Sequence, residues 1–309
     1  MLRIENKLEI VFITYNRSKL LGNTLTQFLS SPFKDCKLTI LNNCSTDNTI
    51  EIYKAFSTKF SNLNLVTNKY NIGANANIMR AVEVVELDYI WIVCDDDSFN
   101  FYDCDDVIDC IINEKAELIN MGAHDDYVWS FGGRNELVKN LHQEGYPFFK
   151  ASSFVPNNLF KIEAFLPFII SGYKNIPNMY PHMPFLLSFY SSNKNIYIAN
   201  KRIVIAYTGT QDYNQKDSTQ GWLNTSKLLN NRLDVNKCFF DQRKHKNYFN
   251  QIEILLACSF KSFYGKYHYK TIPGIFKIVS PSQKIIYIIL VIPYIIIRFL
   301  VSTIKKSKP

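Results

Sequence analysis

Four short apolar runs alternate with helical, polar-faced stretches through the first hundred residues, and this order constrains the fold more than any other feature of the chain. The runs Leu8 to Thr14, Lys37 to Leu41, Leu63 to Thr67 and Tyr89 to Val93 predict strands. Ser18 to Leu29, Asp47 to Lys59 and Ala74 to Val85 predict the helices between them. Strand and helix taking turns in this way form a parallel sheet covered on both faces. Ligands of such sheets bind beyond the C-terminal ends of the strands. The rule gathers four polar loops along one edge: Tyr15 to Arg17, Asn42 to Cys44, Asn68 to Gly73, and Asp95 to Asp97.

The last of these loops has the most pointed chemistry. In DYIWIVCDDDS, Asp88 to Ser98, an almost wholly apolar strand runs directly into three consecutive aspartates. Adjacent carboxylates repel one another and Asp is a poor strand former, so the arrangement is an odd choice for stability alone. A divalent cation with a bound diphosphate relieves that repulsion.

Beyond residue 100 the alternation weakens. A helix is expected from about Asp105 to Lys115, a strand near Ala116 to Met121, a turn around Phe131 to Arg134, and a strand over Phe148 to Phe154. Phe160 to Phe168 reads as helix or loop, Val204 to Tyr207 as a strand, and Thr208 to Gly221 as a polar loop. With nearly half of its 309 residues apolar, the chain can bury one large domain plus an appendage. The expected division is one body at 1–250, in two parts at 1–100 and 101–250, followed by a tail at 251–309.

The seven cysteines, at 36, 44, 94, 104, 110, 238 and 258, lack the paired short spacing of a zinc or redox site. Scattered thiols point to a reducing, cytosolic setting. The opening MLRIENKLEIVFITYNR has too short an apolar run for a signal peptide, so the body is expected inside the cell. The net charge of +8 is unevenly spread. From Ile254 onward there are nine Lys or Arg and no Asp or Glu, which leaves residues 1–253 near neutral.

Taken in order, LEIVFITYNRSKLLGNTL, LTILNNCSTDNT, NKYNIGANANIMRAV and YIWIVCDDDSF resemble the donor-binding half of the family 2 glycosyltransferases of GT-A fold. The wording is similar to the branch that builds bacterial surface polysaccharides. The resemblance covers roughly residues 7–100. It implies an α/β, Rossmann-like, mostly parallel sheet flanked by helices. It also implies that Thr14, Tyr15, Asn16, Arg17, Asn42, Asn43, Asp47, Asn71, Gly73, Asn77, Asp95 and Asp96 handle a nucleoside diphosphate sugar, a UDP-sugar being favoured. Asp95 and Asp97 fit the DxD element that holds Mn²⁺ or Mg²⁺ against the donor diphosphate. Cys94 stands where many relatives carry the first acid, which leaves the ligand register within Asp95 to Asp97 open by one residue. The family commonly has two acids and a glycine at the positions of Asn42, Asn43 and Cys44. Asn still offers a donor and an acceptor to a base edge. Asp47 opens a predicted helix and reads equally as an N-cap.

An inverting transferase needs a base for the acceptor hydroxyl. The family places an Asp, often in a Glu-Asp pair, some way past the metal motif, and this chain has no such pair there. Between Phe149 and Tyr207 its one acid is Glu163. His182, in NMYPHMPFLL, stands at the corresponding distance, and imidazole titrates near neutral pH. An isolated His beside Pro, Met and Phe is also an ordinary packed core residue. Asp125 and Asp126 in GAHDDYVW compete for the role, and Asp212 is a weaker candidate.

Ile285 to Ile297 is thirteen residues without a charge. As a helix this reaches only about 20 Å at ~1.5 Å per residue, against a hydrocarbon core of about 30 Å. Three lysines beyond it argue against a span that leaves the body cytosolic. The expectation is a helical tail lying on an anionic membrane surface through residues 261–309. A buried C-terminal helix or a dimer contact would also use the apolar run. Basic and aromatic interleaving suits single-stranded nucleic acid as well, but the adjoining apolar run argues against that partner. The whole reads as a peripheral glycosyltransferase acting on a lipid-linked saccharide at the cytosolic membrane face. The alternative is a silent nucleotide-sugar-binding scaffold of the same fold.

Overall fold

A computed structural model describes residues 3–102, 104–121, 136–138, 152, 154–177, 181–190, 195–199 and 203–205, with six further positions at 284, 285, 288, 289, 292 and 293. The chain divides into two units, Met1–Gln211 and Asp212–Pro309. The expected boundary at 250 lies outside the described residues.

The first unit is built on an eight-stranded sheet. Four parallel strands lead it: β1 (Leu8–Thr14), β2 (Lys37–Asn42), β3 (Leu63–Thr67) and β4 (Tyr89–Cys94), in the order β3-β2-β1-β4. The helices between them are α1 (Ser18–Leu29), α2 (Thr49–Ser57) and α3 (Ala74–Val84). β1 and β4 are buried along almost their whole length, as strands covered on both faces must be. Register does the rest. Thr14 lies opposite Asn42, Asn42 opposite Thr67, and Ile13 opposite Cys94, so the four strands finish nearly level and their loops leave from one edge.

The core that fixes this register is aromatic. Phe28 of α1 meets Phe12 edge-on at 4.9 Å between centroids, and Trp91 of β4 lies 5.4 Å from Phe33. Buried polar ends are satisfied: the Trp91 indole donates to Pro156 O at 2.8 Å and the Tyr89 hydroxyl to Ala116 O at 2.8 Å.

Past β4 come β5 (Ser98–Phe99), helix α4 (Asp105–Ile112), β6 (Leu118–Asn120), β7 (Glu136–Val138), β8 (Asn158–Lys161), β9 (Ile196–Ile198) and β10 (Val204–Ile205). The sheet continues β4-β8-β6-β9-β7, while β10 pairs with β5. Helix α4 stops short of the expected Lys115, because Glu114 turns into the left-handed region at φ 48°. The reading of Phe160 to Phe168 as helix or loop is corrected at its start. Phe160 and Lys161 belong to β8, which runs antiparallel between β4 and β6, and the helix begins only at Ile162. β4 and β6 both oppose β8, so they run parallel and end on the same edge. The expected turn at Phe131 to Arg134 and the loop Thr208 to Gly221 lie outside the described residues, as do most of the expected strand Phe148 to Phe154 and most of the tail.

The cysteines at 36, 44, 94, 104 and 110 are free thiols. Among the described residues no helix is long and apolar enough to cross a membrane. Of the tail positions described, Ile285, Ile288, Ile289 and Ile292 are exposed.

Candidate active site

The three aspartates leave the end of β4 in a loop whose backbone is held by α1. Thr24 Oγ1 donates to Asp95 O at 2.9 Å and to Asp97 O at 3.4 Å. Gln27 Nε2 donates to Asp97 O at 3.3 Å, while its Oε1 accepts from Phe99 N at 2.9 Å. Thr24 and Gln27 are three residues apart on one helical face. The sequence reading missed both. The available signal was two polar residues on the face that also buries Leu21, Leu25 and Phe28.

Held in this way, the carboxylates divide their work. Asp95 turns inward: Thr14 Oγ1 donates to its Oδ2 at 2.6 Å, and Arg17 Nη1 lies 3.4 Å from its Oδ1. Burial pushes the Asp95 carboxyl up to about 6, against the pull of the Thr14 hydroxyl and the Arg17 charge. Asp96 Oδ2 takes the closer Arg17 bond at 2.7 Å. The side-chain ligand atoms of Cys94, Asp96 and Asp97 gather within 4.8 Å of one another. The structure therefore groups Asp96, rather than Asp95, with Asp97. Burial, with the neighbouring carboxylates, pushes the Cys94 thiol well above its usual range. Mn²⁺ and Mg²⁺ prefer hard oxygen donors to sulfur, which leaves the Asp96 and Asp97 carboxylates as the suited ligands of this group.

The loops after β1, β2 and β3 are laced together by side-chain amides. Asn43 Oδ1 accepts from Asn68 Nδ2 and from Ile72 N, both at 3.0 Å, and Asn43 Nδ2 donates to Asn71 Oδ1 at 2.8 Å. Asn71 Oδ1 also accepts from Gly73 N. Asn77 Oδ1 accepts from Asn68 at 2.8 Å, and Asn42 Oδ1 accepts from Ser45 N at 2.9 Å. Asn42, Asn43 and Asn77 are buried, so their amides hold loops. Asn68 and Ser45 complete this lacing and were not singled out from sequence, where they look like ordinary loop residues. Cys44 sits at φ 63°, the left-handed conformation that the glycine of the family pattern adopts without strain. Asn16, at φ 52°, accepts from Thr46 N at 2.8 Å and donates its own N–H to Ser45 Oγ.

Asp47 serves two helices at once. Its Oδ2 accepts from Ser18 N at the start of α1 at 2.8 Å, and its Oδ1 accepts from the Thr49 hydroxyl and N–H at the start of α2. Burial raises its carboxyl, but the Thr49 and Ser18 hydrogen bonds prevail and hold it below the usual carboxylate range. The N-cap of α2 is Asn48, so Asp47, expected as that cap, lies one residue before it and instead accepts from the first N–H of each helix. Tyr15, Asn16, Asn71 and Gly73 remain exposed along the crevice, with Arg17 and Asp96 partly so.

At the end of β6, Asn120 Nδ2 donates to Asn158 Oδ1 at 3.1 Å, and Asn158 Nδ2 donates to Ser152 O at 2.9 Å. His182, just ahead of the helix Met183–Tyr190, is buried with Nε2 3.1 Å from the same Ser152 carbonyl. A carbonyl only accepts, so Nε2 carries a proton and donates it to Ser152 O. Asp125, Asp126 and Asp212 lie outside the described residues.

A family model described as glycosyl transferase family 2 matches residues 9–162, about half of the chain. The crystal structure of S. aureus TarS 1-349 in complex with UDP is similar to this chain at 13% identity and a TM-score of 0.61, covering 90% of this chain and 82% of that one. The mannosyltransferase PcManGT from Pyrobaculum calidifontis, in complex with GDP-Man and Mn²⁺, is similar at 10% identity and a TM-score of 0.57, covering 98% and 88%. No curated protein matches the chain. At these identities the solved structures speak to the fold, and the family match to the chemistry. The chain is a glycosyltransferase whose residues 9–162 form a family 2 domain of GT-A fold.

Proposed function

We propose that the protein transfers a single sugar, with inversion, from a nucleoside diphosphate donor to a lipid-linked saccharide at the cytosolic face of a membrane. The observation that carries the donor half is the acidic loop. Asp96 and Asp97 gather at the end of β4, held from behind by α1, on the edge where β1, β2 and β3 also release their loops. Two carboxylates completed by phosphate oxygens suit Mn²⁺ or Mg²⁺. Bound there, such an ion supplies charge stabilisation for the departing nucleoside diphosphate.

The chain's own groups do the rest. Tyr15, Asn16, Asn71 and Gly73 face the nucleotide, while Asn42, Asn43, Asn77 and Asp47 keep their loops in place. Thr14 holds Asp95 inward. A UDP-sugar is favoured: TarS is seen with UDP and with UDP-GlcNAc, whereas PcManGT holds GDP-Man. His182 is the base we favour, because its Nε2–H on Ser152 O fixes the imidazole ring beside the end of β6. Asp125 and Asp126 are the rivals.

The tail supports the acceptor half. It is basic without a single acid after Glu253, and its exposed isoleucines at 285, 288, 289 and 292 follow helical spacing. Such a stripe suits an anionic bilayer surface. The test is product analysis with a panel of donors and extracted lipid-linked acceptors, alongside vesicle binding of the full chain and of a chain ending at residue 279. Metal-dependent sugar transfer and loss of vesicle binding on truncation are expected. Absence of nucleoside diphosphate release with every donor would favour the silent scaffold, and unchanged vesicle binding would remove the tail from the account.

A further inference from the structure

Arg17 and the candidate metal site share one carboxylate. Arg17 Nη1 donates to Asp96 Oδ2 at 2.7 Å, and Asp96 supplies one of the ligand atoms that gather with Cys94 and Asp97. A guanidinium and a divalent ion competing for the same carboxylate repel each other. Displacing Arg17 without giving it another anion is unfavourable.

We propose that Arg17 is the resident counter-cation of the acidic loop, neutralising Asp95 and Asp96 in the empty enzyme and moving to the donor diphosphate when a divalent ion takes Asp96. The inference rests on the metal and donor reading above. Two features make the exchange feasible. The Arg17 side chain is more exposed than that of Asp96, 30% against 14%, so the arginine stands on the solvent side of the pair. Asp95 keeps the Thr14 hydroxyl at 2.6 Å when the guanidinium leaves, so this buried carboxylate retains a partner. A planar guanidinium is well matched to phosphate oxygens.

The consequence is coupling. Metal alone must evict Arg17 and leave it beside a dication, whereas with a diphosphate present the same guanidinium gains a new anion. Metal and nucleotide therefore bind cooperatively, each weakly alone, and linkage makes the effect reciprocal. Arg17 is the element through which the coupling runs.

The test compares wild type, Arg17→Gln and Arg17→Lys, each shown to be folded by its thermal transition. Mn²⁺ binding without nucleotide is read from the electron paramagnetic resonance of the free ion. Binding of UDP or GDP, whichever binds wild type more tightly, is read by equilibrium dialysis with and without Mn²⁺. In wild type Mn²⁺ should tighten nucleotide binding by roughly tenfold, within the usual span of coupling between sites. Arg17→Gln should bind Mn²⁺ alone several-fold more tightly than wild type, yet lose most of the nucleotide tightening, with Arg17→Lys in between. A purely structural role would weaken both. The inference is overturned if Arg17→Gln binds Mn²⁺ alone no better than wild type, or keeps the full coupling. Failure of wild type to bind Mn²⁺ even with nucleotide would instead overturn the metal reading, and this inference with it.

Discussion

The Thr14 hydroxyl donates to Asp95 Oδ2 at 2.6 Å, tying the last residue of β1 to the first aspartate after β4. This bond crosses between neighbouring strands that already share register, so it fixes a side chain rather than the sheet. Thr14→Val keeps the shape and removes the donor. A buried charge that loses a hydrogen bond costs about 1–3 kcal/mol. Chemical denaturation at pH 7 should show that loss, together with reduced turnover, whereas Thr14→Ser should be close to wild type in both.

The same carboxyl makes stability depend on pH. In the unfolded chain Asp95 loses its proton near 3.8, and in the folded metal-free protein at about 6. Below 3.8 the group is neutral in both states and costs nothing. As pH rises toward 6 the unfolded chain ionises first, so folding is progressively penalised, by roughly 3 kcal/mol in full. Relative to wild type, Asp95→Asn should therefore gain stability by up to that amount between about pH 4 and pH 7 without metal. A stability difference independent of pH would contradict this account of Asp95.

Cys44 carries a backbone cost. A non-glycine residue at φ 63° loses roughly 1 kcal/mol relative to glycine, partly offset by the greater freedom of glycine in the unfolded chain. Cys44→Gly should be neutral or mildly stabilising in thermal unfolding. Cys44→Val, branched at Cβ, should be clearly destabilising.

Asn43 separates holding a loop from touching a ligand. Its amide bonds Asn68, Asn71 and the Ile72 backbone. Asn43→Ala should lower stability by about 2 kcal/mol in the absence of nucleotide, since it leaves buried groups unsatisfied. A change in nucleotide affinity with unaltered stability would identify direct contact instead.

His182 and the two aspartates after β6 divide by their kinetics. His182→Asn should lower kcat by about 10²–10⁴-fold and remove the acidic limb of the pH profile, with KM little changed. Loss on that scale in Asp125→Asn or Asp126→Asn, with His182→Asn active, would transfer the role to a carboxylate.

Much of this was legible in the chain. Leu8 to Thr14, Ser18 to Leu29 and Leu63 to Thr67 have the same bounds in sequence and in structure, because their periodicity is strong and polar turn residues flank them. The strand Asn158–Lys161 was not legible: four residues between a 3-10 turn and a helix are too few to show a period of two. Within the site, sequence placed the right loops together but not the direction of each side chain. Asp95, Asp96 and Asp97 are chemically identical in one dimension. The Thr14 hydroxyl, distant in sequence, distinguishes the inward-turned Asp95 from the pair that gathers beside Cys94. Asp47 likewise reads in sequence as the cap of one helix, whereas the fold gives that position to Asn48 and brings Ser18 N to the second oxygen of Asp47.

Asp97 is the carboxylate on which metal-dependent donor cleavage most directly depends. Nucleoside diphosphate release should be measured with a panel of nucleoside diphosphate sugars and extracted lipid-linked acceptor in Mn²⁺, comparing wild type, wild type in chelator, and Asp97→Asn confirmed to be folded. Release by wild type is expected with at least one donor, abolished by chelator and reduced by at least about 10²-fold in Asp97→Asn. Release that survives both chelator and the substitution would contradict that dependence.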